Sequence, residues 1–185
     1  MKFKLVYFFT IPVLMIICIN SCSEQETSVN PPPENTLINT SFEKDGKFST
    51  EGWSLPVESD SSTMVPPDGG RYSLKLKSSQ PPENFAEIKV PVLLQFNNYK
   101  LSFWSKANGI TSGVFGRAVL SLVRNSTVIK SESISVSDID WNSYSIADTF
   151  TVAEDDSFLV QLSGGMSQLF SGETYFDLCV LEAIK

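Results

Sequence analysis

Residues 98–106 read Asn98-Tyr99-Lys100-Leu101-Ser102-Phe103-Trp104-Ser105-Lys106, and they alternate without a break. Tyr99, Leu101 and Phe103 fall on one side of an extended chain and Ser102, Trp104 and Lys106 on the other, because successive side chains of a strand point to opposite faces. The same period recurs further along. In 117–123, Ala118, Leu120 and Leu122 oppose Arg117, Val119, Ser121 and Val123; in 157–163, Phe158, Val160 and Leu162 oppose Leu159, Gln161 and Ser163. Further candidate strands are 37–42, 53–57, 71–77, 84–94, 114–124, 127–135, 143–152 and 173–183. Clusters such as Pro66-Pro67-Asp68-Gly69-Gly70, Asn108-Gly109, Asn125-Ser126 and Ser163-Gly164-Gly165 separate them. No long helical pattern appears. Short half-apolar strands with such punctuation predict an all-β, two-sheet antiparallel β-sandwich, its apolar faces meeting about 10 Å apart. Pro91, inside a strand-like run, points to an edge or a bulge.

The start of the chain is of another kind. Lys2 and Lys4 precede an apolar run from Leu5 to Ile19, interrupted only by Thr10 and Pro12. That is too short for a stable membrane span, which needs roughly 20 apolar residues, and it fits a removable signal peptide over 1–21. The run closes on Ile19-Asn20-Ser21-Cys22, which resembles the lipobox of bacterial lipoproteins. The resemblance implies acyl chains on Cys22, the first mature residue, and two or more chains anchor stably where one does not. Residues 22–35, with Pro31-Pro32-Pro33, read as an extended Pro-rich tether, leaving 36–185 as one folded domain. Glu24 and Glu26 resemble the surface-export signals of some Gram-negative lipoproteins. The expected location is the outer membrane of the cell envelope, with display at the surface.

Composition then excludes several chemistries. Loss of Lys2 and Lys4 leaves 12 basic against 21 acidic residues, a net charge of −9 that disfavours nucleic acid as a partner. The chain has no histidine. Ser-His-Asp catalysis and His-ligated zinc are therefore ruled out. Of the three cysteines, Cys18 leaves with the signal and Cys22 is acylated, so Cys179 has no partner within the chain and reads as a buried packing residue. Asp138, Asp140, Asp155 and Asp156 stand in turn-like clusters, where solvated loop residues are the default, and Glu154-Asp155-Asp156 reads as a hairpin turn.

The order of landmarks resembles a known superfamily, the galactose-binding-like jelly rolls, and within it the carbohydrate-binding modules of families 4, 9 and 22. The matching pieces are Asn39-Thr40-Ser41-Phe42-Glu43 followed by Gly52-Trp53; Gly70-Arg71-Tyr72-Ser73-Leu74-Lys75-Leu76; Tyr99 to Ala107; Trp141 and Tyr144 ahead of Phe150-Thr151-Val152; and Tyr175-Phe176-Asp177. The chain departs from the pattern where Leu178-Cys179 follows Asp177. The resemblance implies a structural calcium ion held by Glu43 and Asp177 with backbone carbonyls near Gly69 to Arg71, and it makes Trp53 and Trp141 core or corner residues. Physical chemistry agrees at Asp177, since a carboxylate in an apolar strand needs a compensating partner when buried.

Three functions follow for weighing. A surface-displayed carbohydrate-binding module needs an aromatic platform with polar neighbours. Trp104, Arg117 and Gln161 lie on the non-core sides of their strands and are the candidate ligand-binding residues, expected together on one sheet. The alternative is a structural or assembly lipoprotein that uses the sandwich for contact with a protein partner, which fold alone does not decide. Enzyme activity is not expected: a glycosidase needs two carboxyl groups at a controlled separation, and no such pair is evident.

Overall fold

The computed structural model describes residues 33–109, 116–166 and 172–185. Residues 1–21, expected to be a signal peptide, and Cys22 lie outside the described residues. The alternating stretch becomes β7 (Asn98–Asn108), with Tyr99, Leu101, Phe103, Ser105 and Ala107 buried and the residues between them half-exposed. Its neighbours are β10 (Asn142–Thr149) and β12 (Glu173–Ile184). On its other edge β12 takes two partners in turn. β5 (Ser73–Lys77) pairs with Glu173 to Phe176, and β1 (Thr36–Thr40) with Cys179 to Glu182. β4 (Ser59–Ser62) closes this six-stranded sheet beyond β5.

The second sheet has the order β6 (Ala86–Pro91), β11 (Ser157–Ser163), β8 (Gly116–Arg124) and β9 (Thr127–Val136). Every pairing in both sheets is antiparallel. A two-residue hairpin, β2 (Glu43–Lys44) with β3 (Lys47–Phe48), stands apart. The turn between β8 and β9 is Asn125-Ser126, both at positive φ (48° and 64°), as a two-residue turn matched to strand twist demands. Pro91 ends the edge strand β6, where its missing N–H leaves no ladder bond unmade.

The core forms where the sequence alternation points. Tyr99, Leu101 and Phe103 meet Phe158, Val160, Leu162, Ala118, Leu120 and Leu122. Tyr99 lies 4.4 Å from Phe158 between ring centroids, and its hydroxyl donates to the Leu93 carbonyl at 2.7 Å, so its polar end is satisfied. Cys179 is fully buried, and burial together with the Asp177 charge pushes its thiol up to about 12, which makes it an inert packing group.

The structure departs from the sequence pattern at two places. Residues 53–57 form no strand, only a bridge from Ser54 to Glu87, because Pro56 follows and its carbonyl closes a turn onto Ser59. Conversely β4, Ser59-Asp60-Ser61-Ser62, carries no apolar alternation and is extended only because it borders β5.

Candidate functional site

Strand β12 shifts register against β7 between Asp177 and Val180, and Leu178 takes a positive φ of 47°. Asp177 therefore lies in the gap where β5 has ended and β1 has not begun. There it meets the loop ahead of β5. A Cβ added at Gly69 would stand 2.6 Å from Asp177 Oδ2, and one added at Gly70 would stand 2.5 Å from Glu43 Oε2, so bare backbone packs against both carboxylates. The Arg71 N–H donates to Glu43 Oε2 at 2.7 Å, and the Leu178 N–H donates to Asp177 Oδ1 at 2.7 Å. Asp177 is fully buried, and its Oδ2 has no partner among the described residues. Burial raises its carboxyl to about 7; the Leu178 N–H opposes this and the Glu43 charge adds to it. A cavity of about 470 Å³ adjoins, lined by Thr40, Ser41, Glu43 and Leu178 among others. Among the described residues no three His, Cys, Asp or Glu side chains cluster, so Glu43 and Asp177 are the carboxylates that this gap brings together.

Arg117 and Gln161 do come together, on the outer face of the four-stranded sheet. Ser163 pairs with Arg117 and Gln161 with Val119 across β11 and β8. The Arg117 guanidinium makes an ion pair with Glu83 and lies over the Phe85 ring, 5.5 Å from its centroid. Glu83, only 8% exposed in its side chain, also accepts from the Ser163 hydroxyl. Gln161 donates to Glu87 Oε1 at 2.6 Å. Donors and acceptors are thus locked in place beside the nearly buried Val119 and Ser121, an arrangement suited to reading hydroxyl groups.

Trp104 does not join them. It lies on the outer face of the other sheet, with Ser143 and Asp177 as its cross-strand partners, half-buried and outside the core. Alternation within β7 correctly assigns its side of the strand, but sheet membership depends on which distant strands β7 pairs with.

The comparisons with known proteins concern this framework. No family model and no curated protein matches the sequence. The CBM22-1 xylan-binding domain of Paenibacillus barcinonensis Xyn10C is similar, with a TM-score of 0.54 at 16% identity, covering 82% of this chain and 96% of that one. The CBM61 module solved with β-1,4-galactotriose gives 0.53 at 15% identity, covering 82% and 100%. An exo-β-agarase gives 0.58 at 14% identity over 82% of this chain and 25% of its own. The fold is an antiparallel jelly-roll β-sandwich like that of these modules. At such identities it is the fold that is shared.

Within that jelly roll, three further residues belong with Arg117 and Gln161: Glu83, Phe85 and Glu87. Their signal was present in the sequence, since 83, 85 and 87 alternate with Ala86 and Ile88 on the core side. Asp156 departs from the solvated-turn expectation. It is 2% exposed, accepts from Arg124 Nε and Nη2 at 2.7 and 2.8 Å and from the Ala153 N–H at 2.7 Å, and Arg124 holds its carboxyl below the usual range. Trp53 joins the core against Phe42, whereas Trp141 lies outside it.

Proposed function

We propose that the chain is a lipoprotein of the bacterial outer membrane, anchored through Cys22, whose jelly roll binds glycan at the cell surface without cleaving it. The observation that carries the glycan reading is the fixed polar array of Arg117, Glu83, Ser163, Gln161 and Glu87 on one sheet face. The fold shared with a neighbour solved with galactotriose and with one described as xylan-binding supports this reading. The binding is non-catalytic in this reading. The two carboxylates of the array are each engaged, Glu83 by Arg117 and Ser163 and Glu87 by Gln161, and Asp156 is held by Arg124.

Calcium fits the other site and acts there as a structural ion. Glu43 and Asp177 would hold it with carbonyls near Gly69 to Arg71, and the orphaned, buried Asp177 Oδ2 is the atom that asks for it. Bound there, a hard divalent cation neutralises two carboxylates and ties β12 to the loop before β5. The lipoprotein part rests on Ile19-Asn20-Ser21-Cys22.

Polysaccharide pull-down with the full chain tests the central reading, with Gln161→Ala and Arg117→Ala as the variants expected to lose binding. Retention of no polysaccharide, together with copurification of one protein, would favour the assembly role. For the anchor, Cys22→Ala is expected to abolish metabolic labelling with a clickable palmitate. Equal labelling of both forms would remove the lipoprotein reading.

A further inference from the structure

The outer face of the six-stranded sheet carries a cluster that neither the calcium site nor the Arg117 array uses. Trp141 stands one residue ahead of β10, yet its ring meets Tyr175 of β12, with centroids 6.5 Å apart and planes at 66°. Strand β7 runs between β10 and β12, and its residue in register with Tyr175 is Lys106. Trp141 therefore reaches across β7 at Lys106. Trp104, two residues earlier on β7, points from the same face. One lysine is thus framed by two tryptophans and a tyrosine.

The polar groups around it are unequally engaged. On the far side of Tyr175, Lys75 is held by Asp60 at 3.5 Å and Glu173 at 3.9 Å, and the Tyr175 hydroxyl donates to Glu173 at 2.5 Å. Lys106 has no hydrogen bond and no ion pair among the described residues, although the chain carries a net charge of −7. Neither Trp104 nor Trp141 belongs to the core, and both remain half-exposed. Indole faces of this kind pack against the C–H faces of a pyranose ring, while an unpaired ammonium calls for an anion. A single lysine between two indoles matches one carboxylate per ring, rather than the dense charge of a phosphate backbone.

We propose that this face is a second ligand site, for an acidic sugar of the uronate type, with the ring against Trp141 and Trp104 and the carboxylate on Lys106. The site stands on the opposite sheet from Arg117 and Gln161, so it does not depend on the glycan reading of that face. The test titrates the full-length chain, in detergent at physiological salt, with oligogalacturonate and oligoglucuronate, and with neutral galacto-oligosaccharide, following heat and tryptophan fluorescence. The uronates are expected to bind and to quench fluorescence. Lys106→Gln is expected to weaken uronate binding about tenfold, as loss of a charge-assisted contact does, and to leave any neutral binding unchanged. Trp141→Ala is expected to remove the fluorescence change, and Arg117→Ala to leave uronate binding intact. Melting curves accompany each variant; should Trp141→Ala unfold, Lys106→Gln decides alone. No binding of either uronate, equal affinity for the neutral sugar, or loss with Arg117→Ala but not with Lys106→Gln would each overturn the proposal.

Discussion

Asp156 and Asp177 are almost equally shut off from water, at 2% and 0% exposure, yet one carboxyl is held below its ordinary range and the other is raised to about 7. The difference lies in what surrounds them. Asp156 has two guanidinium nitrogens and a main-chain N–H, which replace the lost hydration and favour the charged form. Asp177 has one main-chain N–H, a nearby like charge and an oxygen with no partner among the described residues. Burial alone therefore does not set the state of a carboxylate; its partners do. Asp156 is complete as it stands, and Asp177 calls for a proton or a cation.

The largest effect should come from pH acting on Asp177 in the chelator-treated chain. Its folded pKa lies above the unfolded value, so stability is greatest when both states are protonated and falls as pH rises from about 4 to about 7. The span corresponds to on the order of 4 kcal/mol. Denaturant unfolding at several pH values should show this slope in the wild type and lose most of it in Asp177→Asn. Identical slopes in the two proteins would break the contrast.

Next in size is Asp156→Ala, expected to cost about 3 kcal/mol at neutral pH, the lower end for breaking a buried pair because Arg124 stays 40% exposed in its side chain. The sign with pH is opposite to that of Asp177. The Asp156 contribution is present above the unfolded carboxyl pKa and is lost as pH falls through its depressed folded value. A variant as stable as the wild type at pH 7 would show that the pair contributes nothing.

Calcium should separate the two aspartates more finely. At about a hundred times its dissociation constant the ion should add about 2.7 kcal/mol to the wild type and to Asp156→Ala, and almost nothing to Asp177→Asn. A melting temperature indifferent to calcium in all three would leave Asp177 without its cation. The smallest effect is expected at Trp104, the cross-strand partner of Asp177. Trp104→Ala should cost about 1 kcal/mol, against the 3–5 kcal/mol typical of truncating a packed aromatic such as Phe158. A drop of the larger size would mean that Trp104 supports the Asp177 region rather than facing solvent.

What was legible in the sequence follows the same physics. The faces of β7, β8 and β11 were readable because alternation is a local property, and each apolar side did become core. Asp177 was readable as a carboxylate in need, since its neighbours in sequence are apolar. Asp156 was not. Its partner Arg124 lies 32 residues away, brought close only by the register that sets Ser157 against Val123. Trp104 was placed on the right side of its strand but with the wrong companions, for the same reason. The strand expected at 53–57 shows the converse, where a local pattern was overruled by Pro56 and the turn it closes.

Strand β12 also works as a ruler. At one end Ala183 exchanges hydrogen bonds with Asn35, where the chain enters the sandwich; at the other, ten residues away, Glu173 lies beside Asn108 and Lys77. At about 3.3 Å per residue the two ends stand roughly 30 Å apart. Gly116 packs against Thr174 and Gly164 against the backbone of Lys77, which puts Arg117 and Ser163 at the Glu173 end, together with Lys106. Both proposed sugar sites are therefore carried at the height of the sandwich above the point of entry. A polymer too thick to approach the base of the domain can still be reached from its crown.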